Sequence, residues 1–254
     1  MTNAGDRWRV NLKEWAIPEE ILSKAPTSPW IHPPAVFQIP DEIPLTPSHE
    51  RAREVSLNSV LDIGCGGGIA AFATDAQHLI GVDHQQEMLE MFQNNAKSRG
   101  RDSVVHLGFW PDIESKVENA DVVTGHHVVY NVPMIEDFLT AMDNHSKVRV
   151  VIEMPQRHPL SNLSLAWKHF WNLERPTKPN HEDLLEILNE LGISANLELW
   201  ESPTASKLSK ADQVGFDLIR LCLPESRREE LSEFFEQNPI PHSRSLATIW
   251  WEKK

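Results

Sequence analysis

Two cysteines, a single tyrosine and only eleven glycines occur in 254 residues, and each scarcity excludes something. A chain with so few cysteines is not a disulfide scaffold. Cys65 lies in a glycine loop and Cys222 in an amphipathic stretch, contexts that suit reduced thiols. Long apolar runs are missing as well: none approaches the roughly 20 residues that a bilayer requires. No apolar leader precedes the charged, tryptophan-bearing start. The expectation is a cytoplasmic protein with no membrane partner. Basic charge is also short, with 24 Lys and Arg against 37 Asp and Glu and a formal net charge of −13. Nucleic-acid backbones are gripped by clustered cations, so RNA or DNA is disfavoured as a partner and a small-molecule substrate is expected. The length suits one sizeable α/β core with added cap elements. Oligomeric state is not legible at this stage.

Most of the information sits in Val60 to Gly68, Val-Leu-Asp-Ile-Gly-Cys-Gly-Gly-Gly, where an apolar strand runs into a glycine loop headed by a carboxylate. Glycines at 64, 66 and 68 let the chain turn sharply and let a ligand approach the main chain. Asp62 would repel a pyrophosphate, and Ile69 stands where the dinucleotide fingerprint wants glycine, so a nicotinamide oxidoreductase is disfavoured. A cofactor bearing an ammonium and a sulfonium suits the carboxylate. A second strand, His78-Leu-Ile-Gly-Val-Asp83, ends in an acid at about the ~20-residue spacing at which such a group grips ribose hydroxyls. The alternative for Asp83 is a helix cap before Gln85-Gln-Glu-Met-Leu89.

On these residues the chain resembles the class I S-adenosylmethionine-dependent methyltransferases, and over nearly its whole length a largely uncharacterised bacterial group of methyltransferase-domain proteins. The resemblance implies S-adenosyl-L-methionine as cofactor. It implies binding by Asp62, Gly64, Cys65, Gly66 and Gly68 of the loop, by Asp83 with His84 beside it, and by Phe109 or Trp110 against the adenine. It also implies a Rossmann-like, doubly wound α/β sheet of seven strands, mostly parallel with an antiparallel final strand. Many relatives place an acid just after the glycine that ends strand three. Here Gly108 is followed by Phe109-Trp110-Pro111-Asp112, so the acid is displaced.

Period-2 and period-3.6 patterns predict strands near 60–64, 78–83, 103–107, 121–125, 147–153, 194–201 and 246–251, with helices near 68–76, 85–99 and 133–145. Asn180 with Asp183 three residues on predicts a capped helix with Leu184, Leu188 and Leu191 on its apolar face. Residues 1–50 are cut by prolines 18, 26, 29, 33, 34, 40, 44 and 47 and carry Trp8, Trp15 and Trp30. They form either an anchoring arm or a lid. The remainder, 51–254, is one methyltransferase-type domain with cap segments 154–179 and 203–244.

Methyl transfer needs alignment and dryness more than catalytic groups. A hydroxyl acceptor gains from a nearby base, and histidine has a suitable pKa range. The stretch after strand four, Gly125-His-His-Val-Val-Tyr130, offers His127 as first candidate, with His126 and His158 next, and His126 also facing the cofactor. Each is also readable as a structural histidine, and Tyr130 as a packed ring. Glu153 is open to two readings, an amine partner or a strand-end salt bridge. No metal is expected: metal-dependent relatives need clustered acids after strands four and five, and the histidines lack zinc spacing. The sequence therefore favours an O-directed small-molecule methyltransferase, with a non-catalytic S-adenosylmethionine-binding protein as the alternative.

Overall fold

The computed structural model describes residues 3–30, 38–55, 58–203, 209–240 and 243–254. Pro33 and Pro34 of the arm and parts of the 203–244 segment lie outside the described residues. Seven strands form one sheet: β1 (Ser59–Ile63), β2 (His78–Asp83), β3 (Asp102–Leu107), β4 (Ala120–His126), β5 (Ser146–Pro155), β6 (Asn196–Pro203) and β7 (Ser243–Glu252). Their order is β3-β2-β1-β4-β5-β7-β6. The first five run parallel, and β7 is antiparallel to both β5 and β6. This is the mostly parallel Rossmann-like sheet with an antiparallel final strand that the resemblance implies. Because strand order reverses between β1 and β4, a crevice opens at their carboxyl ends, where open α/β sheets bind ligands.

Helices α1 (Ala4–Lys13), α6 (Ile135–His145) and α8 (His181–Glu190) cover one face. The helix α6 buries Ile135, Phe138, Leu139 and Met142, the spacing of a core stripe. Asn180 and Asp183 close a reciprocal capping box at the start of α8. The other face carries α3 (Pro47–Arg53), α4 (Ile69–Phe72) and α5 (Gln86–Ser98). The helix α4 is shorter than the expected 68–76 because the Thr74 hydroxyl takes the Ala71 carbonyl at 2.7 Å and ends the turn. The arm helix starts at Ala4, where Asn3 caps it by accepting the Asp6 amide at 2.6 Å.

The arm divides into two parts. Residues 3–30 anchor: Trp8 is fully buried with its indole N–H on the Val132 carbonyl at 2.9 Å, and Trp15 is buried with its N–H on Lys178 at 2.7 Å. The Arg175 guanidinium lies over both Trp15 and Trp167 and donates to the Trp15 carbonyl. After α2 (Glu19–Leu22), residues 38–46 form a strap that leads to the start of α3. The two expected cap segments come together: α7 (Ser164–Trp171), α9 (Lys210–Arg220) and α10 (Arg228–Gln237) share one cluster that takes in Trp167, Leu218, Leu231 and Ile21 of the arm. Among the described residues no helix is long and apolar enough to cross a membrane.

Removing a fully buried indole leaves a cavity and an unanswered carbonyl. Trp8→Ala should cost about 3–5 kcal/mol in denaturant unfolding. A loss below about 1 kcal/mol would show that the arm does not contribute to the core.

Candidate active site

The carboxyl end of β1 delivers the glycine loop into the crevice. Gly64, Gly66 and Gly68 have φ of +66°, +51° and +93°, a region that penalises side chains. There is no room for one either: a Cβ on Gly64 would stand 2.3 Å from Val128, and on Gly68 2.6 Å from Phe72 and Phe92. The loop amides of Gly64 and Cys65 donate to the Val82 carbonyl at 2.8 and 3.0 Å, which binds the loop to the end of β2. Asp83 there accepts the amides of Gly66 and Gln85, each at 3.0 Å. Asp83 is not the cap of α5, whose N-cap residue, Gln85, makes no side-chain cap bond; its carboxylate ties the glycine loop to the turn before that helix. The neighbouring His84 ring stacks on Phe109 at 4.9 Å and 17°, and Phe109 is 64% exposed. An exposed aromatic platform beside a carboxylate and a bare backbone is suited to a nucleoside.

Three expectations change. Trp110 does not join Phe109: it is buried, donates to the Phe138 carbonyl at 3.4 Å and meets His145 edge-on. Asp62 does not present a free carboxylate to the crevice. It is buried beneath the loop, with one oxygen on the Thr124 hydroxyl (3.1 Å) and the other on the Ala71 amide (3.3 Å). Burial pushes its carboxyl up to about 7 against those two hydrogen bonds. His158, just beyond the end of β5, is packed in: it stacks on Trp15 at 3.9 Å, meets Tyr130 edge-on at 5.2 Å, and its Nδ1 accepts the Leu160 amide at 3.3 Å. Burial and then the Arg175 charge push it down to about 3, which fits a neutral packing group. Tyr130 packs on Trp8 and donates to the Pro155 carbonyl at 2.9 Å. Cys65 is buried, and its thiol is pushed well up by that burial.

The crevice acquires its second wall from β4 and β5. The His127 backbone is left-handed (φ +59°), an uncommon conformation for a residue with a side chain. Its amide donates to the Glu153 carbonyl at 2.7 Å, and its Nε2 meets the Glu153 carboxylate at 3.0 Å. The imidazole is 40% exposed while Glu153 is buried. Thr46, the N-cap of α3, donates its hydroxyl to the other carboxylate oxygen at 2.9 Å. Ser48 adds a further hydrogen bond and is itself tied to Thr248 at 2.6 Å. Burial raises the Glu153 carboxyl, but the facing His126 and the hydrogen bonds from His127 and Ser48 outweigh it and hold the group well below the usual carboxylate range. His126 is pushed down to about 3, chiefly by burial, and so is neutral at physiological pH. The rings of His49 and His126 stack at 5.4 Å and 15°.

Sequence reasoning missed Thr46, Ser48 and His49. The Thr46-Pro47 pair, a cap residue before a proline suited to the first helical turn, was the available signal. Among the described residues no group of three or more His, Cys, Asp or Glu side chains is set to hold a metal.

Residues 60–148 match the methyltransferase domain family. Over these residues the chain carries a methyltransferase domain. The chain is similar to the ribosomal protein L11 methyltransferase of Thermotoga maritima, at 29% identity over 124 residues, 46% of each protein. It thus spans about half the length of the curated relatives it matches. Two solved structures share the fold over 81% of this chain and 96% of theirs: YcgJ of Bacillus subtilis (18% identity, TM-score 0.55) and BH2331 of Bacillus halodurans C-125 (15%, TM-score 0.56).

The methyltransferase domain carries a testable electrostatic signature at Asp62. Its folded carboxyl titrates at about 7 against an ordinary 3.8, so the folded protein holds a proton that the unfolded chain has released. That contribution to stability is full below the ordinary value and is lost as pH rises through the folded one. Asp62→Asn keeps both partners, its carbonyl on Ala71 and its amide on Thr124, without the titration. In urea unfolding the wild type should therefore lose ground to Asp62→Asn between about pH 4 and pH 7. A difference that stays flat across that window contradicts the buried-carboxyl account.

Proposed function

We propose that the chain transfers a methyl group from S-adenosylmethionine to a hydroxyl of a small polar acceptor, with His127 as general base. The glycine loop, Asp83 and the exposed Phe109 face are the residues that would hold the cofactor, and they fit a nucleoside against bare backbone. When bound, the cofactor supplies an electrophilic methyl group on a sulfonium. The rest is done by the chain. The observation that carries the reading is the His127–Glu153 pair: with Nε2–H donated to a buried carboxylate, Nδ1 is the ring nitrogen left to accept a proton from the acceptor hydroxyl. Glu153 orients the ring and stabilises the imidazolium as it forms, the part a carboxylate plays behind a catalytic histidine elsewhere. His126 and His158, being held neutral by burial, are weaker candidates. Thr46 and Ser48 position Glu153, while residues 3–30 anchor the arm. A protein acceptor is the second reading, favoured by the name of the Thermotoga maritima relative and by an acidic surface that would attract a basic polypeptide.

Incubation with methyl-labelled cofactor and separated small-molecule and protein fractions of a cell extract distinguishes these readings. Label is expected in the small-molecule fraction. Label confined to protein contradicts the acceptor class, and no label in either supports a binding-only protein.

Two substitutions separate binding from chemistry. Asp83→Ala should weaken S-adenosylmethionine binding by about tenfold or more in calorimetry, the loss of a hydrogen bond to a charged group. Unchanged affinity in a folded variant would remove Asp83 from the cofactor site. His127→Ala should lower kcat by about 10²–10⁴-fold with cofactor affinity nearly intact. Weaker cofactor binding with kcat preserved would reverse the assignment.

A further inference from the structure

The amino-terminal ends of β2 and β3 lie opposite the crevice, and there the strap, the end of α3 and the turns after α4 and α5 enclose a concavity of about 430 Å³. Three arginines line it, Arg53, Arg99 and Arg101, on a chain whose net charge is −13. Each is held in place by the fold. Arg99 donates to the Pro40 carbonyl at 3.2 Å and lies over the Phe72 ring at 5.4 Å. Arg101 donates to the Thr74 carbonyl at 2.7 Å, and Arg53 pairs with Asp75 at 3.1 Å. Two carboxylates share the lining, Asp75 in that ion pair and Asp41. Burial lowers the Arg101 guanidinium from its ordinary value, and the like charges of Arg99 and Arg53 add to this while Asp75 opposes them. Like charges gathered around an open concavity gain from a shared counter-ion. Each guanidinium keeps N–H groups beyond those committed to the fold, and a pre-oriented fork loses little entropy when it closes on a tetrahedral oxyanion.

We propose that this concavity binds a phosphate group. Guanidiniums favour phosphate over a lone carboxylate because the ligand offers oxygens to several forks at once. Ile43 and the half-exposed Leu45 border the same space, so a phosphomonoester with an apolar body gains contacts that the free ion does not. The ligand would rest against the strap whose far end, Thr46, reaches Glu153. Nothing in this assignment depends on the methyl-transfer reading, so the two can fail separately.

The test is isothermal titration of the full chain with inorganic phosphate and with phenyl phosphate, at low ionic strength in a buffer free of oxyanions. One saturable site is expected, weakened by added salt. Phenyl phosphate binding more tightly identifies an esterified ligand, and equal affinities identify the free ion. Arg101→Gln and Arg53→Gln should each weaken binding by about tenfold or more, with melting temperatures without ligand close to wild type. Absence of saturable binding to either probe, or affinities unaltered in both variants, would overturn the proposal.

Discussion

A carboxylate buried at the end of β5 must be answered by hydrogen bonds, because an unpaired buried charge costs several kcal/mol. Glu153 is answered from two directions. His127 comes from the end of β4, and Thr46 and Ser48 come from the start of α3. This one demand fixes the imidazole against the sheet and brings the start of α3 to the end of β5. Thr46 serves both ends, since its hydroxyl accepts the His49 amide at 3.3 Å as a helix cap while donating to Glu153. The left-handed backbone at His127 fits the same picture: strain at one residue is tolerated where neighbouring contacts over-determine it.

The cofactor half of the crevice rests on a different constraint. Its loop is shaped by the lack of side chains at Gly64 and Gly68, and braced from below by Asp62 and from the side by Asp83. Asp62 thus acts on the loop's architecture, and Asp83 is the carboxylate proposed to meet the ligand. The two acids have separate environments. Both are buried, but Asp62 is pushed up to about 7, chiefly by that burial with a contribution from the Asp83 charge, while Asp83 is held by two backbone amides.

The strands, the glycine loop and the helix capped at Asn180 were legible because they follow from local rules of alternation, glycine spacing and capping, and the antiparallel final strand came from the family resemblance. The partition of Phe109 and Trp110 was not. Adjacent aromatics read alike, and only the path of the chain past Gly108 sends one outward and the other under α6. Nor was the part played by Glu153 legible, since its partner Thr46 lies 107 residues away and β4, β5 and α3 must first assemble. His158 was placed among the bases for its residue type. Its stacking on Trp15 depends on an arm whose docking surface appears only in three dimensions. The cap shows the same limit, because segments read as separate insertions share one apolar cluster with the arm.

The central claim is that Glu153 holds His127 with its proton on Nε2 and Nδ1 open to the acceptor. Long-range proton–nitrogen correlation spectra of the labelled protein report that tautomer directly. The account predicts that the neutral form of the His127 ring carries its proton on Nε2, with that preference lost in Glu153→Gln. A ring protonated at Nδ1 in the wild type would contradict it.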